Sequence, residues 1–241
     1  MGSVGATPGR TVPPAAPSPA VPKVPKPPSA RTRLRRLAQR GRYDQESVYA
    51  ILDEGLVGHV ASMGPDGPVV LPMAYGRVGD VLYLHGAVGN AGLRALPLCV
   101  TVTLLDGLVL ARSAFHHSMN YRSVVVFGPG QAVRDDEEKK VALAAIVDHA
   151  LPGRSDLVRS PSPAELRATR VVRMVLHEAS AKVRTGGPAD EPADLDLEVW
   201  AGEIPVAIQV GQPVPDGPVE APLPACRVQP ARVFPGPSPS R

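Results

Sequence analysis

Three dipeptides, Asp66-Gly67, Gly79-Asp80 and Asp106-Gly107, punctuate a stretch of short apolar runs. Each pairs a residue that tolerates left-handed backbone with one that needs no Cβ. Together they confine the chain to tight reversals between extended segments. The runs between them predict strands over 56–63, 69–78, 81–85, 98–105 and 108–112, joined as an antiparallel meander. Longer runs predict further strands over 121–133 and 171–183. In the last, Val171, Arg173, Val175 and His177 share one face by the period of two. About six strands arranged in hairpins suggest a barrel, because closure removes the exposed edges on which other chains pair.

Helices sit at the margins. Asp44 is placed to cap a helix whose Val48, Ile51 and Leu52 recur at helical spacing, with Gly55 as its stop. Asp135 caps a second helix over 137–150. A short helix is expected at 165–169 and a helical turn at 93–96. Proline crowds both ends. It fixes φ and lacks an amide donor, so residues 1–30 and 211–241 read as disordered tails. The ordered unit is then a single domain over 31–210.

The core must be aliphatic, since aromatics are only 4% of the 241 residues. The formal charge of +3 is small, and much of it lies in the arginine run from Arg31 to Arg42. No aromatic side chains interleave that run to stack on bases, so it reads as a solvated lead-in rather than a nucleic-acid contact. Cys99 and Cys226 form no disulfide framework, which suits a reducing, cytoplasmic setting. No run is long and apolar enough to predict a membrane span or a secretory leader.

Phosphate-loop, zinc-protease, CxxC and nucleophile-elbow motifs are missing. Gly86, Gly89 and Gly92 follow a strand without the spacing of a dinucleotide fingerprint; they can serve as a connector or as backbone donors to a phosphate, with Arg94 close by. His116 and His117 are adjacent, so on a strand they face opposite ways and do not chelate. No metal site is expected. His85 stands out among the histidines because it ends a strand directly before the glycines, where sites collect. Trp200 reads as a plug for the barrel or a dimer seam, or as a wall for a flavin ring.

Several stretches together resemble a known family. They are RGRYD (40–44), GHVASMGPDGPVVLPMAYG (58–76), LYLHGAVGNAGLRAL (82–96), VTVTLLDGLVLARSAFHHSMNYRSVVVFG (100–128), SAKVRTGGPAD (180–190) and WAGEIPV (200–206). The family is that of the pyridoxamine 5'-phosphate oxidase-like FMN-binding split barrels, in its flavin-nucleotide-binding, nitroimidazole reductase-like branch. The resemblance implies a six-stranded antiparallel split β-barrel, mainly β with flanking helices. It also implies a homodimer with FMN between the two copies and a small-molecule substrate. It places Pro72, Met73, Ala74 and Tyr75 along the flavin ring and His85 and Gly86 at the ring edge and phosphate. Tyr121, Arg122 and Ser123 fall on a strand beside the cofactor, and Lys182 and Trp200 match late family positions. One turn departs from the pattern. HGAVGNAG lacks the Ser-Arg pair that holds phosphate in many relatives. Asn90 remains as a hydrogen-bonding group and Arg94 or Arg122 as replacement cations. That departure keeps a deazaflavin or haem open as alternative ligands, and a non-catalytic carrier open beside a flavin-dependent oxidoreductase.

Overall fold

The computed structural model describes residues 26–93 and 97–216. Arg94, Cys226 and most of both proline-rich ends lie outside the described residues. Two antiparallel sheets enclose one core and make a split barrel. The elements follow the chain as β1 (Gly41–Arg42), α1 (Gln45–Glu54), β2 (Gly58–Gly64), β3 (Gly67–Met73), β4 (Tyr75–Val78), β5 (Val81–Ala87), β6 (Leu98–Leu110), β7 (Ser118–Gly128) and β8 (Gln131–Ala132), then α2 (Asp136–Ala150), α3 (Pro163–Ala168), β9 (Thr169–Val175), β10 (Glu178–Arg184) and β11 (Gly202–Pro205). The larger sheet runs β1-β10-β7-β6-β2-β3, with β11 added to β6; the smaller runs β4-β5-β9-β8.

The turns at Gly67 (φ 121°) and Gly79 (φ 58°) are the reversals their dipeptides predict. Asp106-Gly107 is different. The expected turn is a bulge inside one continuous strand, β6, where the register to β7 slips between Leu105 and Gly107. A bulge selects the same residues as a turn. Here the displaced Asp106 carboxylate is held by Arg122, whose Nη2 donates to it at 2.7 Å.

Three other predicted strands divide. The strand over 69–78 breaks at Ala74, with β3 in the larger sheet and β4 in the smaller. The strand over 121–133 ends at Gly128, before Pro129, and β8 pairs with β9 instead. The strand over 171–183 is two strands, and Leu176-His177 carries the chain from one sheet to the other. There the Leu176 amide donates to the Asp80 carbonyl at 2.8 Å, an anchor distant in sequence. Alternation persists through the break at Ala74, with Met73 and Tyr75 both turned to the core, whereas between β9 and β10 the inward parity shifts, from Val172 and Met174 to Ala179 and Ala181.

Helix α1 begins where its capping residue predicts, the Asp44 carboxylate accepting from the Ser47 amide at 2.8 Å. It buries Val48, Ile51 and Leu52. They meet Val100, Val102, Val124 and Val126 from the larger sheet and Leu82, Leu84 and Met174 from the smaller. Each fully buried aliphatic side chain contributes roughly 1.5–3 kcal/mol. Helix α2 covers the other face of the smaller sheet, with Ala142 and Ile146 against Tyr83, Val133 and Val171. It lies so close to β4 that a Cβ on Gly76 would stand 2.6 Å from Ile146 N. Helix α3 carries a capping box between Ser162 and Glu165.

The edge strand β3 is guarded. Pro68 and Pro72 both pair with β2, so the amides they lack are those that would point outward. Between them only Val70 offers an outward donor, which blunts pairing with a further chain.

Candidate functional site

The smaller sheet is covered on both faces. The larger is not: in register across it, Lys182, Ser123 and Thr103 stand in one row, and Val125 and Thr101 in the next. His59 continues the second row and Pro72 ends it on β3. Phe127 and Cys99 form a third row with Ala61. Each of these side chains is half-buried or exposed, and among the described residues no helix lies on them; Ser180, which continues the second row on β10, is buried.

The rows differ in chemistry. The middle of the face offers hydroxyls and a cation: Thr101, Thr103, Ser123 and Lys182. Thr101 Oγ1 donates to the Val124 carbonyl at 3.0 Å. At one end the face turns apolar: Ile204, Leu108 and Met119 are aligned across β11, β6 and β7, and Leu105 follows beside Tyr121 across the bulge. They are 37–51% exposed. At the other end the Arg31 guanidinium lies over the Phe127 ring, 5.2 Å from its centroid, and pairs with Glu178. Burial pushes the Cys99 thiol up, with Arg31 opposing.

The residues expected to hold the cofactor are dispersed. Pro72, Tyr121 and Ser123 share the uncovered face. Arg122, between the last two, points inward and is buried. Its Nη2 meets Glu54 Oε1 at 2.8 Å and Asp106 Oδ1 at 2.7 Å, and Nη1 pairs with Glu54 Oε2. Its hydrogen bond to Glu54, with Asp106 assisting, holds the guanidinium firmly protonated. A phosphate would compete there with two carboxylates. Met73 packs against the core, and Ala74 sits exposed at the break between β3 and β4.

Tyr75 is fully buried, and its hydroxyl proton is shared between the carbonyls of Leu52 and Gly55, at 2.6 and 2.7 Å. It terminates α1, so its side chain serves the fold. Asn90 closes its own turn: Oδ1 accepts from the Gly92 amide at 3.0 Å. A Cβ on Gly86 would meet Asn90 and Leu93 at 3.0 Å, so the glycine lets that turn pack onto the barrel.

His85 projects the opposite way from Gly86, toward α2. It lines an open cleft of about 470 Å³ with Leu143, Ile146 and Val147 from α2, Thr169 from β9, and Arg159, Pro161 and Glu165. His85 Nδ1 is sealed from solvent without a hydrogen-bond partner. At the rim Arg159 holds Glu165 through paired contacts of 2.7 and 2.8 Å. That pairing, with help from the Ser162 amide, lowers the Glu165 carboxyl to about 2. Among the described residues, no group of three His, Cys, Asp or Glu side chains converges on a metal position. None of the helices there is long and apolar enough to cross a membrane.

Thr101 and Thr103 are the residues of this candidate face that sequence reasoning missed. The alternation of β6, with Val100 and Val102 inward and Cys99, Thr101 and Thr103 outward, is the signal that marks them.

Residues 44–183 match the family described as Pyridoxamine 5'-phosphate oxidase. Among solved structures, the flavocytochrome Anf3 from Azotobacter vinelandii is 40% identical over 83% of this chain and 96% of its own, with a TM-score of 0.79. The FAD and haem binding protein from Mycobacterium smegmatis is 35% identical over 77% of this chain and 94% of its own, with a TM-score of 0.72. A candidate 5-nitroimidazole antibiotic resistance protein from Bacteroides thetaiotaomicron is 26% identical over 59% of this chain and 86% of its own, with a TM-score of 0.51. No curated protein matches the chain.

Proposed function

The chain belongs to the pyridoxamine 5'-phosphate oxidase family, and on that premise we propose that it is a flavin-dependent oxidoreductase acting on a small molecule. Two copies would cover each other's open face and hold the flavin between them. The observation that carries this reading is that face, where a polar middle row meets an apolar end. Surface of this kind suits a partner at that end and a ring with hydrogen-bonding edges at its centre.

When bound, the flavin supplies two-electron chemistry by hydride transfer. The chain's own groups would do the rest. Ser123, Thr101 and Thr103 offer hydrogen bonds to ring edges, Lys182 offers a positive charge to an anionic group, and Pro72 and Tyr121 offer flat apolar contact. The isoalloxazine ring is common to FMN, which the family resemblance favours, and to FAD, which the Mycobacterium relative is named for. The mass of the cofactor released on denaturation tells them apart.

The test is a variant in the centre of the face. Val125→Glu places a charge where the second copy would lie. The expected result is a folded monomer by size exclusion that no longer retains flavin, while the wild type runs as a yellow dimer. A Val125→Glu protein that stays dimeric and keeps its flavin band sinks the reading.

A second reading adds haem to the flavin. It is favoured by the names of the two relatives at 40% and 35% identity, a flavocytochrome and an FAD and haem binding protein. A saturable Soret band on titration with hemin tests it.

A further inference from the structure

Charge is divided along this chain more sharply than its total of +3 suggests. Residues 1–43 hold nine arginines and lysines and no acidic residue, whereas residues 185–226 hold eight acidic residues and no arginine or lysine. Each block repels a second block of its own sign and attracts one of the other.

In the fold, the described parts of the two blocks border the open face. Residues 31–40 lead into β1, at the β10 side of the larger sheet. Arg31 is taken up by Glu178 and the Phe127 ring, and Arg42 turns back onto the carbonyls of Gln39 and Gly41. Arg33, Arg35 and Arg36 are exposed and have no hydrogen-bond or ion-pair partner among the described residues. Leu37 follows them with left-handed backbone (φ 55°), alone among the described residues other than glycine. A leucine is held that way only under strain, and strain collects where a segment has a task beyond the fold.

The other border is acidic. Asp190 is pinned by Arg112, whose amide and Nη1 donate to its carboxylate at 2.9 and 2.7 Å. Further on, β11 pairs with β6. Between these anchors Asp194, Asp196 and Glu198 have no side-chain partner among the described residues. The neighbouring Leu195, Leu197, Val199 and Trp200 are 48–63% exposed. Strands β11 and β1 stand four strand spacings apart, roughly 19 Å, and no ion pair among the described residues joins the two blocks.

A two-fold axis that lays two open faces together and runs along the strands exchanges their borders. It sets the arginine border of each copy over the acidic border of the other, twice in one dimer. An axis across the strands would oppose like charges instead. We propose that these borders seat the second copy, with Arg33, Arg35 and Arg36 of one chain meeting Asp194, Asp196 and Glu198 of the other. The proposal rests on the reading that two copies cover the open face, and adds which way round they do so. Charges at the edge of an interface set its orientation and speed of assembly, leaving the centre of the face to supply the rest.

Sedimentation of the full chain over a dilution series tests it. Two reversed proteins are needed: one with Arg33→Glu, Arg35→Glu and Arg36→Glu, the other with Asp194→Lys, Asp196→Lys and Glu198→Lys. Each is expected to dimerise about tenfold more weakly than wild type in low salt. Mixed in equal amounts they form a heterodimer, and a chain carrying all six reversals pairs with itself again. Near-UV dichroism checks that each remains folded. Reversed proteins that dimerise as wild type does overturn the role of the borders, while Val125→Glu still tests the face itself. Six reversals that restore what three remove, with no heterodimer in the mixture, put the contact inside one chain and overturn the role of the second copy. An arginine-reversed protein that dimerises normally but loses salt-sensitive binding to duplex DNA assigns the run to a polyanion instead. A wild-type chain that stays monomeric at every concentration overturns the dimer and its borders together.

Discussion

Arg122 shows how one side chain can look like a ligand contact and serve the fold. Its guanidinium joins the C-terminal end of α1, through Glu54, to the bulge of β6, through Asp106. Removing it leaves two carboxylates facing each other at a partly buried point. Arg122→Ala is expected to cost about 2–4 kcal/mol, read from urea denaturation. Replacing all three residues together (Arg122→Met, Glu54→Gln and Asp106→Asn) recovers part of that loss. An Arg122→Ala protein as stable as wild type would dismiss the cluster as ornamental.

Glu165 makes a prediction of the opposite kind, because it is at the surface. Its carboxyl titrates at about 2 in the fold against an ordinary 4.5, chiefly through Arg159. A lowered value means that its contribution is complete above about pH 4.5 and fades as pH falls toward 2. The cap of α3 and the rim of the cleft should therefore loosen over that interval, ahead of the core. Carboxyl chemical shifts with amide exchange in Pro163–Ala168 measure this; a Glu165 titration near 4.5 contradicts it.

At the scale of elements, the contact between α2 and β4 is the most exacting. Gly76 is where a helix backbone lies directly on a strand, 2.6 Å from a Cβ that is not there. Backbone cannot yield as the tip of a side chain can. Gly76→Val is expected to cost about 3 kcal/mol or more and to lower amide protection throughout α2. An unchanged melting temperature would refute it. Much of this level was legible in the sequence. Both long helices begin at their predicted caps, and two of the three glycine dipeptides are turns. What the sequence did not reveal is the change of sheet at Ala74, at Pro129 and at Leu176-His177. Periodicity records which side of a strand is buried and not which neighbour it pairs with, so alternation runs unbroken through the crossing at Ala74; at Leu176-His177 the change is written only as a one-residue shift of parity, from Val172 and Met174 to Ala179 and Ala181.

The site has the same limit at the scale of the whole molecule. Alternation separates the two faces of β6 and β7, and so marks Thr103 and Ser123 as outward. It does not say which outward face is left bare. That follows from the position of α2, which covers the smaller sheet and leaves the larger one open. The family resemblance supplied a set of residues; the fold divides them among the open face, the buried ion cluster, the end of α1 and the cleft beside α2.

The order of the larger sheet, in which β10 sits between β1 and β7, matters before the protein is finished. While the chain is being synthesised, β7 emerges long before its partner. Until Arg184 has left the ribosome, the edge of β7 is unpaired and the core above α1 lacks Ala179 and Ala181. Each half-made chain also holds pieces of both sheets and the whole of neither. Such a chain reaches its stable form late and all at once, and for most of its synthesis it must be kept from pairing with its neighbours.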